Sequence, residues 1–232
     1  MNTNQETCIL LFVKYPEKGK VKLRLSMDIK EDIVEELYRC FVHDTLDTVQ
    51  KIDTHLFICY SPADALKKFQ RWLGSNRQFL PQTDGDLGDR MKQCFSTVFA
   101  QGFRYAILMG SDSPDLPEEY LAEAFSLLKT KDVVLGPAVD GGYYLIGLHT
   151  TTFTASLFQD IPWGTHSVFQ ETLLKIQQAH QTVGLLPTWS DVDTITDLKN
   201  LVIRSNNTSF KTSQTMTYMN KQNIRLEKHH GE

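Results

Sequence analysis

A chain of 232 residues that is 41% hydrophobic and 22% charged can bury a sizeable core without disulfides or a structural metal. Its formal net charge of -4 gives no broad electrostatic reason to bind nucleic acid or an anionic membrane, so an anionic ligand has to be held locally. Four scattered cysteines (Cys8, Cys40, Cys59, Cys94) with no CxxC exclude the usual zinc spacings, and no run approaches the roughly 18–20 apolar residues that cross a bilayer. The polar start and the short apolar run after it lack the form of a signal peptide, so a cytoplasmic protein is expected, with the Asn206 and Asn207 sequons as chance matches.

Along the chain, short apolar runs alternate with amphipathic stretches. Residues 8–13 form a continuous apolar run closed by Pro16 and Gly19, which reads as a buried strand. A basic loop follows, then a helix over about 30–50 with Ile33, Leu37 and Phe41 on one face. Strands are expected at 55–60, 78–80, 105–109, 133–135, 143–148 and 183–186. Helices are expected from Pro62 through Leu73, then at 87–100, 118–129, 151–158, 166–179 and 195–204. Such alternation implies an α/β fold, a mainly parallel sheet flanked by helices on both faces, as one domain over residues 1–204. Residues 205–232 are polar and aperiodic and are expected to form a disordered tail.

Ligands of such sheets bind beyond the carboxyl ends of the strands. After the first strand, Lys14, Lys18, Lys20, Lys22 and Arg24 surround Gly19. A phosphate clamp suits this position, with Arg24 offering a planar fork and Lys14 and Lys22 point charges; a solvated loop is the alternative. No P-loop or GxGxxG is present. Asp112 follows the central strand directly, where a carboxylate can hold Mg²⁺ or Mn²⁺. Asp115, just before Pro117 and Glu118, reads as a helix cap, and Thr194 with Asp197 as a capping box. Asp191 and Asp193 alternate in a late loop, and one of them is placed to reach the ion of Asp112. Gly85 and Gly88 permit close approach to a base or ribose, with Asp86 between them as ligand or as cap. Asp140-Gly141-Gly142 is a hairpin signal ahead of Tyr143, and Trp163 can serve as a stacking wall.

In combination and order, these segments resemble a family of small bacterial glycosyltransferase-like proteins of GT-A type, some linked by name to arsenosugar biosynthesis. More distantly they are similar to the guanylyltransferases acting on phospholactate and on the molybdenum cofactor. The resemblance rests on Lys14-x-Pro-x-x-Gly19-x-Val-Lys22-x-Arg24-Leu, Gly85-Asp-Leu-Gly88-x-Arg90-Met, Gly110-Ser-Asp112-Ser-Pro-Asp115, Asp140-Gly-Gly-Tyr143, Trp163-Gly-Thr165 and Asp191-Val-Asp193-Thr194, spanning about residues 8–200. It implies a nucleotide-diphospho-sugar transferase-like fold. It also implies a metal pair at Asp112 and Asp193 and nucleotide contacts at Lys14, Gly19, Lys22, Arg24, Gly85, Asp86 and Gly88. Asp140 would be the catalytic carboxylate, with Gly141, Gly142, Tyr143 and Trp163 toward the acceptor. Two features depart from the pattern: the first loop lacks GxGxR, and the central turn is not a literal DxD.

The expected function is metal-dependent glycosyl transfer from a nucleoside-diphosphate sugar to a small acceptor. Nucleotidyl transfer with release of pyrophosphate is the alternative, and a non-catalytic nucleotide-binding protein is a second one. The expected partners are therefore a nucleotide or nucleotide-sugar donor and a small-molecule acceptor. Nucleic acid and membrane are not expected, and a homo-oligomer is left open.

Overall fold

The computed structural model describes residues 6–224. Seven strands form one sheet: β1 (Thr7–Lys14), β2 (His55–Ser61), β3 (Gln78–Pro81), β4 (Tyr105–Met109), β5 (Val133–Pro137), β6 (Tyr143–His149) and β7 (Val183–Leu185). Their order across the sheet is β3-β2-β1-β4-β6-β5-β7. Every neighbouring pair is parallel except β4 with β6 and β5 with β6, so β6 alone runs backward. This is the mainly parallel sheet expected from the alternation of apolar runs. The reversal arises at the turn at Asp140, Gly141 and Gly142, where β5 and β6 form a hairpin.

Both faces are covered, which is why the central strands are apolar throughout instead of alternating. On β1, Ile9, Leu11 and Val13 face a core with α1 (Glu31–Val49), α2 (Leu66–Leu73), α4 (Glu118–Leu127), α6 (Ile195–Ser205) and α7 (Gln214–Lys221). Cys8 and Leu10 face a second core, shared with α3 (Leu87–Ala100) and α5 (Val168–Gln178). Leu37, Phe41 and Leu46 of α1 are buried in the first and Met91, Phe95 and Val98 of α3 in the second, each contributing about 1.5–3 kcal/mol. All four cysteines are buried free thiols. No described helix is long and apolar enough to cross a membrane.

Three expectations need correction. The stretch at 151–158 forms only a 3-10 turn, Ala155–Phe158. The helix after Pro62 begins at Leu66, behind a separate 3-10 turn. The polar segment after Ser205 is ordered through residue 224: α7 packs on α1, burying Met216 and Met219, and Asp44 accepts the amides of Gln214 and Thr215 at 2.9 and 2.8 Å. Two methionines suffice because α1 supplies an apolar surface and Phe210, Tyr218 and Ile224 pack against the same core. The part of the tail expectation falling on residues 225–232 lies outside the described residues.

Candidate active site

Six of the seven strands deliver their carboxyl ends to one edge of the sheet, and β6 brings its amino end, Tyr143, to the same edge. Lys14 ends β1 there. The turn after β4 places Ser111, Asp112 and Ser113 beside it. The loop carrying Asp191 and Asp193 is laid across that turn, with the Val192 amide donating to the Asp112 carbonyl at 2.8 Å. Ser113 Oγ donates to Asp191 Oδ1 at 2.5 Å. Tyr38 of α1 fixes the floor: its hydroxyl accepts from the Lys14 amide at 3.2 Å and shares a 3.0 Å hydrogen bond with Ser111 Oγ.

The centre of the site is an ion triad. Lys22 Nζ lies 2.5 Å from Asp112 Oδ1 and 2.8 Å from Asp193 Oδ1. Burial opposes charge on this ammonium, but the two carboxylates outweigh it and raise its pKa. The carboxylates themselves remain 45% and 39% exposed, so ligand can reach them. Burial, reinforced by the charge of Asp112, pushes the nearby Asp191 carboxyl up to about 6. Among the described residues no cluster of three or more His, Cys, Asp or Glu side chains forms a ready-made metal cage. The donor set nonetheless fits a hard divalent ion, which commonly takes one or two protein carboxylates and completes its shell with phosphate and water. Asp112 and Asp193 present oxygens to one cationic point, and no described hydrogen bond engages the Oδ2 of either.

Two recesses meet at this triad. A cavity of ≈ 390 Å³ runs over the ends of β1, β2 and β4, between Ser61, Gln82, Leu87 and Arg90 on one side and Tyr143 and Asp191 on the other. The second, ≈ 430 Å³, is lined by Lys14, Lys20, Lys22, Arg24, Asp112 and Asp193. Lys14, Tyr38 and Asp112 belong to both, so a ligand with an uncharged body and an anionic end can occupy them together.

The structure gathers Lys14, Lys22, Arg24, Asp112 and Asp193 as the sequence suggests. Gly19, at φ 68°, makes the turn of the basic loop. Lys14 and Arg24 have no ion pair among the described residues, whereas Lys20 pairs with Glu17 at 2.6 Å. Lys22 is spent on the carboxylates, not left free as a mobile phosphate contact. Asp86 caps α3, accepting the Asp89 amide at 2.8 Å, and Gly85, at φ 111°, precedes it. Gly88 has a packing reason: a Cβ there would come within 2.7 Å of Trp163 Nε1 and 2.6 Å of the Phe158 carbonyl.

Trp163 accordingly lies against α3 and, edge-on, against Tyr143; Tyr143 lines the cavity and Trp163 does not. Gly141, at φ 91°, lets the hairpin turn touch the neighbouring loop, since a Cβ would sit 2.1 Å from the His166 carbonyl. Gly142 donates its amide to Asp140 Oδ1 at 2.9 Å, so the exposed Asp140 closes its own turn with one oxygen. Asp115 is no helix cap: it accepts from Arg204 Nε and Nη2 at 2.5 and 2.8 Å, while Pro117 stands at the start of α4 without side-chain capping. Asp197 does complete the capping box with Thr194. Tyr38, Gln82, Arg90 and Ser113 were not singled out from sequence. Only Ser113 and Arg90, inside the quoted motifs, carried a local signal.

The model of a bacterial family, described as uncharacterized proteins conserved in bacteria (DUF2064), matches residues 45–165, just over half of the chain. A crystal structure from Desulfovibrio desulfuricans G20, provisionally described as a nucleotide-diphospho-sugar transferase, is 43% identical with a TM-score of 0.91, over 94% of this chain and 95% of that one. The 2-phospho-L-lactate guanylyltransferase of Methanobrevibacter smithii is 24% identical over 212 residues, 90% of this chain and 88% of that protein. The 4-diphosphocytidyl-2C-methyl-D-erythritol synthase of Anaerococcus prevotii shares the fold at 9% identity and a TM-score of 0.55, over 85% of this chain and 98% of that one.

Proposed function

Since the chain belongs to the DUF2064 family, we propose that the cleft at the carboxyl edge of its sheet is the active site of a nucleotide-using transferase. One observation carries this reading. Asp112 and Asp193, from separate segments, turn to a single cationic point where a cavity and a lysine- and arginine-lined recess join. The nucleoside occupies the cavity beside Gln82, Leu87 and Arg90. Its phosphates enter the basic recess, where Arg24 offers two parallel hydrogen bonds and Lys14 a point charge. A Mg²⁺ or Mn²⁺ held by Asp112 and Asp193 would neutralise charge on the departing phosphate group. The acceptor lies toward Tyr143 and Asp191, with the exposed Asp140 at that rim as the candidate to take its proton.

The machinery serves two reactions. Nucleotidyl transfer is supported by the similarity to a guanylyltransferase along 90% of the chain. Glycosyl transfer, the expectation from the sequence motifs, is supported by the description of the 43% identical protein. A thermal-shift series with GTP, GDP and GDP-sugars, each with Mn²⁺ or with EDTA, tests the shared reading, because a ligand that binds the folded state raises its apparent stability. Stabilisation only with metal is expected; equal shifts in EDTA would count against it. Release of pyrophosphate from a triphosphate identifies nucleotidyl transfer, and release of a nucleoside diphosphate from a sugar donor identifies glycosyl transfer.

A further inference from the structure

Lys22 combines features that ordinary loop lysines lack. Its neighbours Lys20, Leu23 and Arg24 are exposed, yet its own side chain is 4% exposed, reaching inward over the Phe41 ring with the centroid 5.9 Å from Nζ. Its backbone is left-handed, at φ 47°, a conformation strained for a non-glycine residue unless its surroundings hold it. The pair of carboxylates holds its side chain, while Val21 and Leu25, buried in the core to either side, fasten the loop.

We infer that Lys22 is the resident cation of the Asp112–Asp193 pair, a latch that a divalent ion must displace or share before the site is loaded. The inference rests on the proposed metal role of these two aspartates and adds a competition to it. With Lys22 in place the pair is already neutralised in part, so a bare ion gains little by entering. When the ion arrives with nucleotide, the phosphates give the released ammonium a new partner in the basic recess. Metal and nucleotide should therefore bind cooperatively, because each relieves a cost of the other.

The test is Mn²⁺ binding alone, followed by the loss of the free-ion paramagnetic resonance signal. Lys22→Met keeps the length of the side chain and removes the competing charge. It is expected to bind Mn²⁺ at least about tenfold tighter than wild type in the absence of nucleotide, and Lys22→Met/Asp112→Asn should abolish the gain. Because Lys22→Met removes a buried ion pair, the wild-type protein supplies a second measurement. The Nζ nitrogen resonance of Lys22, assigned by its loss in Lys22→Met, should shift when MgCl₂ and GTP are added together and stay in place with MgCl₂ alone. Unchanged or weaker Mn²⁺ binding by Lys22→Met, or a Lys22 resonance that ignores MgCl₂ and GTP together, overturns the latch. Wild type that binds Mn²⁺ with GTP while Lys22→Met gains nothing would overturn the latch and leave the metal reading standing. No Mn²⁺ binding by any variant, with or without GTP, would overturn both.

Discussion

Asp112 stood out in the sequence because a carboxylate directly after a buried strand had no capping pattern to account for it, although it also pairs with the buried Lys22. Asp193 could be read only as one of two alternating candidates, and its partnership with Lys22, 171 residues away, had no local signal. If both aspartates serve one ion, Asp112→Asn and Asp193→Asn should each weaken Mn²⁺ binding in the presence of GTP, and the double variant should lose less than the sum of the two. Titration calorimetry measures this, and strictly additive losses would separate the sites. Arg24→Ala is expected to weaken nucleotide binding by about 1.5–3 kcal/mol, the worth of hydrogen bonds to a charged group; unchanged affinity in the same titration would return the loop to a solvated surface. Asp115 shows how a local rule misleads. Its position before Pro117 suggested a cap, but its side chain is 5% exposed and bound by Arg204. Asp115→Asn should therefore cost stability, about 2–3 kcal/mol by denaturant titration because Arg204 is itself partly hydrated, and leave Mn²⁺ binding unchanged.

At the level of elements, all seven strands were legible from short apolar runs bounded by turn residues, and the hairpin turn at Asp140 from its Gly-Gly sequence. Helices with a wide apolar stripe, such as α1 and α3, were equally plain. The element that escaped was α7, whose eight residues bury Thr215, Met216 and Met219 and lay the half-buried Tyr218 against a core assembled by α1. Its surroundings, not its own pattern, make it helical. Deleting residues 206–232 therefore removes the buried side chains of Thr215, Met216 and Met219 and leaves Asp44, 5% exposed, without the amides of Gln214 and Thr215. The melting temperature should fall by several degrees, since each buried methionine contributes about 1.5–3 kcal/mol. A truncated chain melting with the full one would show that α7 adds nothing to the fold.

For the molecule as a whole, strand alternation revealed the class of fold and the edge where ligand should bind. It did not reveal the order β3-β2-β1-β4-β6-β5-β7, which depends on contacts between segments far apart in sequence. That order brings β1 and β4 side by side, so the basic loop and Asp112 meet, and it is the late loop crossing this junction that supplies Asp193. The account stands on that junction being a nucleotide–metal site. A crystal grown with GTP and MnCl₂, with Mn located by its anomalous scattering, tests it most directly. The account predicts Mn bound by Asp112 and Asp193 at about 2.1–2.2 Å, slightly above the magnesium distance, with phosphate oxygens against Lys14 and Arg24 and the base beside Gln82 and Arg90. Mn bound elsewhere, or nucleotide outside the two recesses, would contradict it.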